Sequence, residues 1–123
     1  MLKFVAGLAS GLFIVVGLAW LVAPGYVSMQ MRMPLLDGDG LSTQIGDLAG
    51  FFLTLGSSIA LTLVTTRGEF LFPAIMLLGF AAIGRVIAWV AHGAGLPLDM
   101  IAVEVVLVVL LTLLARQMAS DRA

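Results

Sequence analysis

The chain has 123 residues, of which 62% are hydrophobic and only 11% charged, and its formal net charge is −1. Soluble domains carry roughly 25% charged residues, so this composition excludes a water-facing globule and specifies an integral membrane protein. The slightly acidic balance excludes the basic face that nucleic acid requires. The lack of any cysteine excludes disulfides, thiol catalysis and cysteine-ligated metal centres.

A helix needs about 20 mostly apolar residues to cross the hydrocarbon core, and four segments qualify. The first runs from about Phe4 to Ala23 without a charge, and Pro24 and Gly25 stop it. Lys3 ahead of it and "LVA" at its end resemble a secretory signal. However, the apolar run exceeds the usual core of about 7–15 residues, and Pro24 would follow the cut, so a retained helix is expected. The next stretch, "PGYVSMQMRMPLLDGDGLS" (24–42), is polar in part. It is expected to hold a short interfacial helix with Tyr26 and the methionines at the headgroups. Within it, "LLDGDGLS" (35–42) begins like a calcium loop, but Leu41 falls on the third ligand position and no Glu follows at the right spacing. The segment reads as a turn.

The second span runs from about Thr43 to Thr66, and "TRGE" (66–69) links it to the third, from about Phe70 to Ala91. Pro73 is tolerated in that first turn. After "HGAGLP" (92–97) the fourth span runs from about Leu98 to Ala115, with Asp99 suited to a helix N-terminus. The tail "RQMASDRA" (116–123) is polar and reads as frayed. Four spans put both termini on one side, together with Lys3, Arg67, Arg116 and Arg122, and leave only Arg32 opposite. The positive-inside rule then places both termini in the cytoplasm. The expected fold is all-α, a single transmembrane four-helix bundle over residues 1–123 in a bacterial inner (plasma) membrane.

Small residues suggest where the helices meet. Gly7 and Gly11 form one G-x-x-x-G, and Gly46 and Gly50 form another, followed by Gly56, Ser57, Ser58 and Ala60. Such residues let backbones approach in lipid, and packing within the bundle is expected ahead of a dimer face. Trp20 and Trp89 sit near the outer ends of their helices, as interfacial belt residues do. The seven methionines read as adaptable packing.

Three charges need a reason. Asp47, Arg85 and Glu104 fall in the second, third and fourth spans, where a charge costs at least about 2.5–3.5 kcal/mol. At 1.5 Å per residue they lie about 6, 9 and 9 Å from the same membrane face. The expectation is that Arg85 is held by Asp47 and Glu104 in the outer-leaflet half, its fork of donors suiting carboxylates. The trio sums to −1, so either one carboxyl is protonated or Gln44, Arg32 or His92 assists. Arg85, Trp89 and His92 stand at i, i+4 and i+7 and would share a face looking into this cluster. Such a cluster serves as a lock that fixes helix pairing, as a pocket for a small polar or amphipathic ligand, or as a proton or ion path.

His92 is the chain's only histidine, so no metal site is expected, and neither a cofactor motif nor a catalytic triad can be assembled. The stretch "AAIGRVIAWVAHGAGLPLDMIAVEVVLVVLLTLL" (81–114) resembles the end of a family of small four-span bacterial membrane proteins, DoxX-like in look. The resemblance rests on Gly84, Arg85, Gly93, Pro97 and Glu104. In the second helix, where that family carries an arginine, this chain has Asp47. The resemblance implies a four-helix bundle and no particular activity. The leading expectation is a compact binding or scaffold subunit in the lipid bilayer, associating with itself or with a larger membrane complex. The alternative is a protein that binds or transports a lipid or small amphipathic ligand through an outward-facing pocket. The third is a membrane enzyme on a lipophilic substrate, with Glu104 or Asp47 as general base and His92 as proton carrier. It ranks last because the catalytic inventory is thin. At 123 residues there is no room for the paired halves of a secondary transporter.

Overall fold

Proline and glycine divide the chain into its helices. The computed structural model describes residues 1–123. Helix α1 spans Leu2–Val22, and Pro24 opens the short α2, Pro24–Gln30. Helix α3 spans Gly38–Thr65, a 3-10 turn covers Gly68–Leu71, α4 spans Phe72–His92 and α5 spans Leu98–Arg122. The protein is all-helical, and four of its helices are long and apolar enough to cross a membrane. Gly93 ends α4 at φ 68°, and the Ala94 N–H returns to the Ala88 carbonyl. That left-handed closure favours a residue without a Cβ.

Two boundaries differ from the sequence reading, each for a packing reason. Helix α5 continues through the polar tail because Met118 is buried in the core. The Arg122 guanidinium also lies 3.9 Å from Glu69. Helix α3 begins near Gly38 rather than Thr43, with Asp39 in its first turn, where a carboxylate is favoured by the helix dipole. Its 28 residues exceed what the hydrocarbon core needs, whereas the 21 of α1 match a core of about 30 Å.

Helices α1 and α3 form the most extensive contact in the bundle. Its closest points are Gly17 and Gly56. A Cβ at Gly56 would lie 2.8 Å from the Ser10 carbonyl oxygen and 3.0 Å from the Ile14 nitrogen, and one at Gly17 would lie 3.0 Å from the Leu53 nitrogen. The Ser10 hydroxyl donates to the Gly56 carbonyl at 2.7 Å, tying the helices at this crossing. Of the expected G-x-x-x-G glycines, only Gly7 reaches this contact. Gly7 would make only an ordinary 3.7 Å contact with Leu63, and Gly11, Gly46 and Gly50 face open space. The motif marks a face able to pack, whereas the buried stripe of α3 follows Ala49, Leu55, Gly56, Ile59 and Thr62.

The main core gathers Ala6, Leu55 and Ile59 with Leu71, Ala74, Leu78, Leu111, Leu114 and Met118. All four spans meet there, in the half nearest the chain termini. A smaller cluster of Trp20, Val27 and Ala49 closes the other end of α1, α2 and α3. Trp20 is completely buried there, not in an interfacial belt, and its Nε1 has no hydrogen-bond partner. Beyond Leu78 on α4 and before Leu111 on α5, no apolar side chain is fully buried. That half of the bundle is where a cleft opens.

Candidate functional site

Helix α4 turns its inward stripe through Ala74 and Leu78, both buried, to the half-buried Ala81, Arg85 and Ala88. The last step is i+3, which leaves Trp89 on the outer side, about half exposed. His92 is exposed at the helix end and makes no hydrogen bond or ion pair. Neither residue joins Arg85 on a common lining, so the predicted i, i+4, i+7 face does not form.

Arg85 and Glu104 do come together. The Arg85 Nε–H donates to Glu104 Oε1 at 2.9 Å. The Glu104 side chain is 9% exposed and the Arg85 side chain 33%. Both Arg85 terminal amino groups make no protein hydrogen bond, and neither does Glu104 Oε2. A buried carboxylate is tolerable only when paired, and Arg85 supplies that pairing across the α4–α5 contact.

Asp47 stands apart, which corrects the expected trio. It is exposed and has no ion-pair partner. Asp47 falls on the exposed face of α3 with Gly46 and Gly50, while Gln44 and Ala49 face inward, and the register places it beyond α1. Gly7 lies against Leu63, and Gly17 against Leu53, so α1 and α3 run antiparallel. Stepping back from Leu53 to Asp47 carries the opposing position from Gly17 to Ala23, just past the end of α1. Phe51, one turn deeper on α3, lines the cleft beside Arg85, whereas Asp47 lies outside it. The pair that remains is neutral, so the excess negative charge of the trio is not present at this site.

Gln44 is buried but serves the long loop. Its Oε1 accepts from the Leu36 N–H at 2.9 Å, and its Nε2 donates to the Pro34 carbonyl at 3.0 Å and to Met33 Sδ at 3.2 Å. It fastens the segment between α2 and α3.

One partnership was missed by the sequence reading. The Arg32 Nη2 group contacts both oxygens of Asp99, at 2.9 and 3.2 Å. It joins the end of α2 to the start of α5. Arg32 holds a left-handed backbone, φ 60°, and the Met33 N–H closes on the Ser28 carbonyl at 3.0 Å. That is the αL helix-end closure glycine usually provides. The available signal was topological: Arg32 and Asp99 were assigned to the same face of the membrane.

These groups border two neighbouring spaces that share lining residues. The first is an apolar cleft of about 270 Å³, walled by Phe13, Phe51, Phe52, Val103 and Leu107, with Arg85 and Glu104 as its polar groups and Asp99 beside them. The second is a more polar vestibule of about 490 Å³, bordered by Arg32, Arg85, Leu96 and Pro97. Arg85 is part of both linings, as are Met31 and Met100. A dry apolar cavity of about 150 Å³ takes up benzene, so the cleft has room for a ring or a stretch of alkyl chain. The arrangement offers hydrogen-bond donors at the boundary between an apolar and a polar space. Glu104 is paired with the guanidinium, and His92 makes no ion pair with Glu104 or Asp47.

No family model matches the chain, and no curated protein or solved structure matches it.

Proposed function

We propose that this protein binds a small amphipathic, lipid-like molecule within the membrane. The apolar part of the guest lies in the cleft and its polar end lies at Arg85. In this reading the protein resides in a bacterial inner membrane with both termini cytoplasmic, so the vestibule opens toward the outer side. The observation that carries the proposal is the position of Arg85, which lines both the apolar cleft and the polar vestibule. Ligand sites are mostly apolar concavities with a few placed polar groups, and this cleft has that make-up. Arg85 and Glu104, two of the five residues that prompt the likeness to DoxX-like proteins (with Gly84, Gly93 and Pro97), are polar groups of the cleft.

A second reading keeps the leading sequence expectation. Glu104 is buried and paired, which supports a scaffold subunit in which Arg85–Glu104 fixes how α4 meets α5 and the outer faces of the bundle meet a partner or a second copy. Val103→Trp separates the two readings, because it adds bulk to the cleft wall while Arg85 and Glu104 are retained. Native mass spectrometry of the wild type, released gently from lipid, is expected to show one retained lipid-sized adduct. Val103→Trp, at an unchanged melting temperature, is expected to lose it. Equal retention by both proteins, or by neither, removes the ligand-binding reading.

A further inference from the structure

The cleft is asymmetric in its unused hydrogen-bonding capacity. A guanidinium has five N–H donors, and Arg85 uses only the one on Nε. Its two terminal amino groups make no protein hydrogen bond, and the residue lines both the apolar cleft and the vestibule. The acceptors, Asp99 and Glu104, already face a guanidinium each. A guest acceptor therefore meets four unused N–H donors on Arg85, whereas a guest donor competes with Arg32 or Arg85 for a carboxylate.

The charge balance narrows the class further. Arg85–Glu104 and Arg32–Asp99 are each neutral pairs, so nothing in the site compensates a dianion. Excess charge is costly in a low-dielectric setting, so the site sets an upper limit of one negative charge on the head, placed at the partly exposed Arg85. The planar fork of an arginine matches the two oxygens of a carboxylate.

Resting on the ligand-binding reading above, we infer that the guest is a single-chain amphipath with a carboxylate head. The carboxylate is held by the free terminal amino groups of Arg85, and the chain lies between Phe13, Phe52 and Leu107. Arg32 stands across the vestibule. Its side chain is more than half exposed and is held by Asp99 alone. It can turn from Asp99 to the second face of the head.

The test uses the full chain in nanodiscs of neutral lipid, at alkaline pH so that the acid is ionised. Radiolabelled dodecanoate is the probe. Unlabelled dodecanoate, dodecanol and dodecylamine, which share one tail, are the competitors. Saturable binding is expected, with dodecanoate competing at least about tenfold better than dodecanol, a difference one charge-assisted hydrogen bond supplies. Dodecylamine is expected to be the weakest. Arg85→Gln/Glu104→Gln keeps a hydrogen-bonding pair without charge and is expected to erase the preference for the acid. The exposed Arg32→Gln, which need not disturb folding, is expected to reduce it. If dodecanol matches dodecanoate, or dodecylamine exceeds it, the head-group inference is overturned while the apolar site stands. If no probe binds saturably to the wild type, the ligand-binding reading fails and this inference falls with it.

Discussion

Arg85 and Glu104 meet across α4 and α5 through one bond, Nε to Oε1 at 2.9 Å, and the carboxylate is much the more buried partner. Losing the arginine therefore strands a charge, whereas losing the glutamate frees a guanidinium that already reaches the cleft. Arg85→Ala is expected to destabilise the protein by about 3 kcal/mol, and Glu104→Ala by less. Arg85→Leu/Glu104→Leu removes both charges and is expected to recover most of the loss. A double-mutant cycle on thermal unfolding in detergent measures the coupling. Additive single losses would show that the pair does not act as a unit.

The α1–α3 crossing makes a sharper demand on glycine than the G-x-x-x-G pattern does. Gly56→Ala and Gly17→Ala put a methyl within 3.0 Å of the opposing backbone, and overpacking of that kind costs about 1–3 kcal/mol. Gly46→Ala and Gly50→Ala meet nothing within 4 Å. They are expected to be neutral or to raise the melting temperature slightly, since Ala favours helix over Gly by about 1 kcal/mol. The ranking of the four melting temperatures is the check. A larger loss at Gly46 than at Gly56 would point to a partner helix on the open face of α3.

Trp20 fills the smaller core cluster completely, yet its Nε1 is unpartnered. An unmet buried donor costs about 1–3 kcal/mol. Trp20→Phe gives up ring volume but also removes that donor, so the two effects oppose. The expected net loss is under about 1 kcal/mol, against about 3–5 for Trp20→Ala. Unfolding midpoints for the two variants decide the matter. A Trp20→Phe loss close to that of Trp20→Ala would mean that ring volume dominates.

How much of this was legible in the sequence follows from which interactions are local. The four spans were readable because length and hydropathy are properties of each segment alone, and Pro24, Gly93 and Pro97 punctuate them. The Arg85–Glu104 meeting was readable because both residues lie at similar distances from one short turn, which fixes the α4–α5 register. Asp47 was misplaced because it lies on the exposed face of α3 with Gly46 and Gly50, while Gln44 and Ala49 turn inward. Its depth depends on the α1–α3 register, which no local pattern records. The same register selects Gly17 and Gly56 rather than the more conspicuous motif glycines. Trp89 was misdirected because the inward stripe of α4 ends on an i+3 step. The Arg32–Asp99 contact depends on how α2 and its loop fold back over the bundle, and Gln44 helps to set that path from α3.

The orientation of the bundle decides which side of the membrane the vestibule faces. Arg32, Leu96 and Pro97 border it, and all three lie at the end of the bundle opposite the termini. Lys3, Arg67, Arg116 and Arg122 lie at the end with the termini, so the charge bias predicts a cytoplasmic location for that end. The chain has no cysteine, so single introduced cysteines report without a background. Met29 is 72% exposed on α2, and Ser120 is exposed near the end of α5. In intact cells an impermeant maleimide is expected to label Met29→Cys, and to label Ser120→Cys only after permeabilisation. The reverse pattern would turn the vestibule toward the cytoplasm, and the carboxylate-headed guest would then have to enter from the inner leaflet. Labelling of both sites in intact cells would mean two orientations coexist. An antiparallel pair of bundles, with a cleft opening to each side, would then be possible.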